Sequence, residues 1–421
     1  MVNKMQIDVR SEIGELEGVI LHKPGREVEN MTPKNAERAL YSDILNLSVA
    51  QQEYAQLSGV LGKLTNTFQV MDLLEDILAN EKVKENLLKK ICDYEQRNHV
   101  FGRLMSLDAK NLSVALIEGL VEEKNTLTKY LNKERYALRP LHNFFFTRDA
   151  SMTVLDEVLI GRMANAVRER ESFIMEAIFD YHENFTTKTV NPLYSPNFNQ
   201  ATTIEGGDVL IARDDILCIG TGTRTSSQGI DFILERLKIQ NEKNRHILVQ
   251  ELPSQPESFI HLDMVFTFLD VDTCMVYEPL ILQKNRYQTL HIHIENGKVS
   301  SIHEEESLLK ALQKLGMDLK PIYCGGNKDP WNMEREQWHS GANFFAIGPG
   351  KLLGYGRNTH TIEAMNKNGF EVLQANDIIS GKINPEEYKK HIITLEGSEL
   401  PRGGGGARCM TMPIRRKPVQ W

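Results

Sequence analysis

Long apolar runs are missing from the 421 residues, and nothing approaches the roughly 20 consecutive apolar positions a membrane helix needs. Cysteine is scarce: five residues, scattered and odd in number, argue for a reducing compartment rather than a disulfide framework. Basic charge is in deficit, with 49 Lys and Arg against 57 Asp and Glu and a net charge of −8. Nucleic acid is therefore not an expected partner, because phosphate binding needs a concentrated cationic surface. The segment from Met1 to Glu12 is polar and holds no signal-peptide core, so the expected location is the cytoplasm. Tight Cys-x-x-Cys and His-Glu-x-x-His spacings, which make zinc assignments specific, are absent too.

What is present is an ordinary soluble composition, 41% hydrophobic and 25% charged. The length exceeds a usual single core, which leaves two domains or one large repeat-built domain. A degenerate repeat favours the second. Asp149 opens a strand pair at 151–155 and 158–161, Asp208 one at 209–213 and 216–220, and Asp263 one at 264–269 and 274–277. A fourth pair falls at 342–347 and 351–354, and a further strand at 16–22 begins another copy. Apolar stripes of helical period follow: Phe173, Ile174, Ala177, Ile178 and Tyr181, then Ile230, Ile233, Leu234 and Leu237. The expected fold class is α/β, a ring of β-β-α-β modules at a period of about 55 to 60 residues, with an ordinary two-layer α/β sheet as the alternative. Helical periodicity from Leu73 to Asn132 breaks the rhythm and predicts a helical insertion over 73–137 within a single domain spanning 1–421.

The hairpin openings bring chemistry together if the modules share one end. They supply Asn143, Phe146, Arg148 and Asp149, then Glu205, Gly206, Gly207 and Asp208, then His261 and Asp263. Near the C-terminus come Arg402, four glycines at 403–406, Arg408 and Cys409. Residues i and i+2 of a strand share a face, so His261 and Asp263 are expected to point the same way. Clustered carboxylates repel unless a cation joins them, and a planar guanidinium can offer each of them paired donors. Its central carbon would then be open to a thiolate from above. Cys409 is the candidate nucleophile, while Cys92, Cys218, Cys274 and Cys324 fall in core patterns. His261 suits proton transfer near neutrality. Asp208 could act in the site or brace its backbone. His291, His293 and Glu295 alternate along one strand and could hold a metal, although a solvated strand face is the commoner meaning of that pattern. Gly220 to Gly222 resembles a fragment of a phosphate loop without its lysine, and Trp331 and Trp338 are expected to pack a loop.

Taken in order, NFFFTRD from Asn143 to Asp149, EGGD from Glu205 to Asp208, HLD from His261 to Asp263 and CMTMP from Cys409 to Pro413 resemble the bacterial arginine deiminases. The opening EGVILHKP from Glu17 to Pro24 extends the resemblance over essentially the whole chain. It implies a five-bladed α/β propeller of the guanidino-group modifying superfamily, the pentein fold, with neither metal nor organic cofactor. It implies hydrolysis of L-arginine to L-citrulline and ammonia, with Cys409 as nucleophile and His261 as acid and base. Asp149 and Asp263 would clamp the guanidinium, and Glu205 would pair with substrate and histidine. Asn143, Arg168 and Arg224 would hold the amino-acid end, with Phe146 against its methylene stem. Some members carry histidine before the cysteine where this chain has Arg408, so either Arg408 or Arg402 is a candidate for the substrate carboxylate. Homo-oligomers are common in the family. The alternatives are a sister enzyme (amidinotransferase, dimethylarginine hydrolase or agmatine deiminase), a zinc amidohydrolase built on His291, His293 and Glu295, and a non-catalytic scaffold. The glycines at 403–406 and the loop near Asn30 to Leu40 are candidate covers.

Overall fold

A computed structural model describes residues 4–32, 41–239 and 244–421. One unit recurs along the chain: an antiparallel hairpin, a helix, and a third strand parallel to the second. Ser151–Val154 pairs with Glu157–Ile160, and Lys188–Val190 returns beside the latter after the helix Glu169–Tyr181. Val209–Arg213, Ile216–Thr221 and Arg245–Glu251 repeat the pattern around the helix Ser227–Ile239. Phe266–Asp270, Thr273–Val276 and Lys320–Tyr323 form a third unit, and Phe345–Gly348, Lys351–Tyr355 and His391–Leu395 a fourth. In the remaining unit Leu16–Leu21 lies parallel to Asn66–Gln69 after the helix Leu47–Leu64. Its antiparallel partner is Met412–Arg416, so the expected first copy is completed by the far end of the chain.

The hairpin strands are largely buried on both faces, as in Val209, Leu210, Ile211 and Ala212, which suits their near-continuous aliphatic composition. The helix Ser227–Ile239 buries Ile230, Ile233, Leu234 and Leu237 at helical spacing, and the Ser226 hydroxyl accepts from the Gly229 N–H at 3.1 Å to cap its start. One hairpin departs from the repeat. Thr289–Glu295 and Lys298–Glu305 follow the third unit's second strand, yet they pair with Arg245–Glu251 and widen the second sheet to five strands.

The predicted helical stretch is helical from Val70 to Glu118, in the helices Val70–Leu78, Glu81–Tyr94, Phe101–Met105 and Ala109–Glu118. Leu74, Leu88, Ile91, Leu116 and Ile117 pack there with Phe173, Ile174 and Ile178 in one core. Just beyond Gly119, whose φ is 93°, the periodicity misleads: Leu120–Val121 pairs with Tyr136–Leu138, Val121 is 49% exposed, and helix returns only at Leu127–Leu131. Trp331 and Trp338 do not pack a loop. Both belong to the helix Pro330–Trp338, and Trp331 is 84% exposed. The described helices include none long and apolar enough to cross a membrane.

Candidate active site

Three hairpins do not begin directly from extended chain. Each is entered through a single helical turn, Thr147–Ala150, Gly206–Asp208 and Leu262–Met264, and those turns carry Asp149, Asp208 and Asp263. The expectation that His261 and Asp263 share a strand face is thus corrected. His261 is extended, at φ −133° and ψ 154°, and the turn after it swings Asp263 round.

The turns interlock backbone to backbone. A Cβ at Gly206 would lie 2.0 Å from the Arg148 carbonyl, and one at Gly207 would lie 2.4 Å from His261 Nδ1. Glycine at both positions lets the turns touch. Asp208 braces the next turn, its Oδ1 accepting from the Leu262 N–H at 3.0 Å. Burial pushes its carboxyl up to about 7, which favours the neutral form for this bracing role. The Gly220 that resembled a phosphate loop has the same use: a Cβ there would meet Asp208 Oδ1 at 2.2 Å.

Cys409 sits on a buried turn. Its N–H and that of Arg408 donate to Asn343 Oδ1 at 3.2 and 2.9 Å, while its carbonyl accepts from the Arg148 N–H at 3.1 Å. The Thr411 hydroxyl donates to the carbonyls of Ala407 and Arg408 at 3.0 and 2.9 Å and closes the turn. Upstream, Gly403 and Gly405 lie on the ring of Phe146, where Cβ atoms would approach to 3.1 and 2.5 Å. Tyr355 Oη donates to the Gly405 carbonyl at 3.1 Å. The other suggested cover falls mostly on residues 33–40, outside the described residues.

Around the sulfur the expected acids do meet. Sγ lies 3.8 Å from Asp263 Oδ2. His261 Nε2 contacts Glu205 Oε2 at 3.0 Å, and its Nδ1 lies 3.9 Å from Asp149 Oδ1. Burial pulls the imidazole down, but the Asp149 and Glu205 carboxylates outweigh it and hold it at about 9. Burial likewise opposes ionisation of Glu205, yet Arg224 and His261 keep its carboxyl at about 2. Burial, joined by Asp263 and Asp149, pushes the Cys409 thiol far up. Among the described residues, Asp149 Oδ1 and Asp263 Oδ1 are buried acceptors without a hydrogen-bond partner.

The expected binding arginines take separate positions. Arg168 grips Glu171 through Nε and a terminal nitrogen at 3.1 and 2.8 Å, and donates to Asp149 Oδ2 at 2.9 Å. Arg224 lies 3.7 Å from Glu205. A narrow cleft lined by His142, Asn143, Val167, Arg168 and Glu171 runs in beside them. Arg408 is placed elsewhere: only 1% exposed, it donates to Asp263 Oδ2 at 2.7 Å, to both Glu12 oxygens at 3.0 Å and to the Val209 carbonyl at 2.9 Å. Arg402 pairs at the surface with Asp43 at 2.5 Å. Asp149, Glu205 and His261 also offer ligand atoms within 4.8 Å of one another. Charge balance there already comes from Arg168 and Arg224.

Two members of the site escape the sequence. Glu12 neutralises Arg408, and although burial opposes it, Arg408 and Arg148 hold its carboxyl at about 2; no spacing marks this lone acid. Asn343 was within reach, because the fourth hairpin opens beside it and the convergence of hairpin openings points there.

A fold in which acids from successive hairpin turns converge on a buried thiol is that of the pentein enzymes that modify guanidino groups. Solved structures agree in fold: an amidinotransferase from Microseira wollei has a TM-score of 0.55 at 12% identity, covering 99% of this chain and 98% of the other. The substrate-bound N-terminal domain of ArgZ, a cyanobacterial arginine dihydrolase, scores 0.53 at 12% identity over 96% and 99%. The family model described as arginine deiminase matches residues 37–416, and the chain belongs to the arginine deiminase family. Arginine deiminase of Treponema denticola is 32% identical over 98% of this chain and 99% of its own length, and that of Oenococcus oeni is 30% identical over the full length of both.

Proposed function

We propose that this enzyme hydrolyses free L-arginine to L-citrulline and ammonia through a covalent intermediate on Cys409. The observation that carries the reading is the pair of buried, partnerless oxygens, Asp149 Oδ1 and Asp263 Oδ1, beside Cys409 and His261. Unpaired buried acceptors are costly, and a guanidinium between them would satisfy both. Burial, joined by the Asp263 and Asp149 carboxylates, holds the thiol protonated; the same cation offsets those carboxylates, so the thiol gives its proton to solvent and the thiolate forms when substrate arrives.

In the first half-reaction the thiolate adds to the guanidinium carbon while Asp149, Asp263 and Glu205 hold its nitrogens. His261, as imidazolium, protonates the departing nitrogen; the C–N bond breaks, and ammonia leaves a thiouronium on Cys409. In the second half, neutral His261 takes a proton from water, the hydroxide adds to the same carbon, and the C–S bond breaks to return the thiolate as the new hydroxyl loses its proton to solvent and citrulline is released. Arg168, Arg224 and Asn143 are assigned to the amino-acid end and Phe146 to the methylene stem. Arg168 then has to exchange part of its pairing with Asp149 for the incoming ligand. Arg408 is reassigned from the substrate carboxylate to the support of Asp263, because its donors already meet Asp263, Glu12 and Val209. The five units are proposed to close into a five-bladed propeller of one domain, with 73–137 inserted. Relatives named arginine deiminase, rather than transferases, favour water as the second reactant.

Cys409→Ala should fold and form no citrulline, and wild type quenched in acid during turnover should carry the substrate-derived mass on Cys409. Citrulline made by a folded Cys409→Ala chain overturns the assignment. Agmatine and methylated arginines, tested beside arginine, define the substrate end.

A further inference from the structure

Four of the 12 histidines gather on one face of the five-stranded sheet. Strand register brings them together: His246 lies opposite His293, and His291 opposite His303. The expected partner Glu295 is not among them; it faces Lys298 at the far end of its hairpin, and the buried carboxylate in the group belongs to Glu305. This cluster lies toward the opposite edge of the sheet from the catalytic turns. His291, His303 and Glu305 belong to its two last strands, Thr289–Glu295 and Lys298–Glu305, whereas Gly206–Asp208 leads into Val209–Arg213 at the other edge.

The contacts within the group are those of a ligand set with an orienting neighbour. Glu305 Oε1 is 3.1 Å from His303 Nε2 and 3.7 Å from His291 Nδ1. The three side chains offer ligand atoms within 4.8 Å of one another. An ion bonded at about 2.0–2.2 Å holds neighbouring ligand atoms roughly 3.5 Å apart, so two of the three edges are already near that length. His303 closes the third by rotation, since its side chain is 49% exposed. The other nitrogen of His291, Nε2, is 2.9 Å from His246 Nδ1, and the His246 ring stacks on His293 at 4.6 Å and 7°. A hydrogen bond to the far nitrogen of a ligating imidazole is how proteins fix its tautomer and aim. The Lys314 ammonium that meets Glu305 Oε2 at 2.5 Å has a 65% exposed side chain and leaves Oε1 to the histidines. A row of solvated polar residues accounts for an exposed His303; it does not account for a buried carboxylate shared by two imidazoles, one of which is held by a third.

We propose that His291, His303 and Glu305 form a binding site for a divalent late transition-metal ion, with His246 orienting His291 and water completing the coordination. Imidazole and carboxylate together suit Zn²⁺, Ni²⁺ or Cu²⁺ rather than Mg²⁺ or Ca²⁺. The ion would tie Thr289–Glu295 to the exposed edge strand Lys298–Glu305 and raise the stability of the sheet without touching turnover.

Calorimetric titration of the whole chain, free of any histidine tag, with ZnCl₂ and with NiCl₂ tests this. The expected result is one ion per chain, at similar affinity in wild type and in His261→Ala, with the melting temperature raised by the ion and restored by chelator. His303→Ala, which keeps its citrulline-forming rate, and Glu305→Gln should each weaken binding by about tenfold or more. Absence of binding at about 100 μM ion, unchanged affinity in both sheet variants, or loss of binding in His261→Ala overturns the proposal.

Discussion

A methyl group on Gly207 would lie 2.4 Å from Nδ1 and 2.5 Å from Cγ of His261, inside any tolerable contact. The collision is with the imidazole ring, held on its other side by Glu205 at 3.0 Å. Gly207→Ala should therefore leave the chain folded but displace His261, with kcat falling about 100-fold, the loss an ångström of misplacement can produce. Steady-state kinetics beside circular dichroism checks this; an unchanged kcat would remove His261 from the proton-transfer role. The residue scale is also where the sequence speaks most clearly. Cys409, His261, Asp149, Glu205 and Asp263 are all legible as a converging set, because each is a reactive type shortly ahead of an expected strand. Arg408 is not. Its neighbour in sequence is the proposed nucleophile, but its guanidinium reaches Glu12, 396 positions away, and no local pattern encodes that pairing.

The element that delivers Cys409 is a loop, and its anchor is a helix. Glu53, buried within Leu47–Leu64, accepts from the Ser398 N–H at 2.6 Å, the Ser398 hydroxyl at 2.5 Å, the Glu399 N–H at 3.1 Å and the Leu400 N–H at 2.9 Å. Removing that carboxylate strands several backbone donors at once, each costing about 1–3 kcal/mol where water cannot replace it. Glu53→Ala should lose about 2–3 kcal/mol in denaturant unfolding and raise KM for arginine more than it lowers kcat, since the loop over Phe146 loosens while the turn on Asn343 persists. Equal losses in both parameters would place Glu53 outside loop support. Element type was readable wherever burial follows one period, as in Ser227–Ile239. It failed at Leu120 and Val121, which extend a helical stripe in sequence but sit past a left-handed glycine, and at the hairpin entrances, where a turn of three or four residues leaves no periodic trace.

Across the whole molecule, charge pairing makes a pH profile. His261 is raised from 6.5 to about 9, so its favourable charged form is fully present below 6.5 and lost as pH rises through about 9. Glu205 is lowered from 4.5 to about 2, so its contribution is present above 4.5 and lost as pH falls through about 2. The acid limb of stability should thus fall well below neutrality. The rate kcat/KM should decline above about 9, where free enzyme loses the imidazolium proposed to protonate the leaving nitrogen. A profile recorded with stability measured in parallel checks both limbs; an alkaline limb near 6.5 would mean that Asp149 and Glu205 do not hold His261. The pairing of Leu16–Leu21 with Met412–Arg416 has a consequence for biosynthesis. A ribosome delivers Glu12 and all three hairpin turns long before it delivers Arg408 and Cys409. A chain not yet extended to Arg408 and Cys409 lacks both the proposed nucleophile and the cation that makes Glu12 tolerable in the interior, so a nascent polypeptide is expected to leave arginine untouched until the strand after Cys409 has joined Leu16–Leu21.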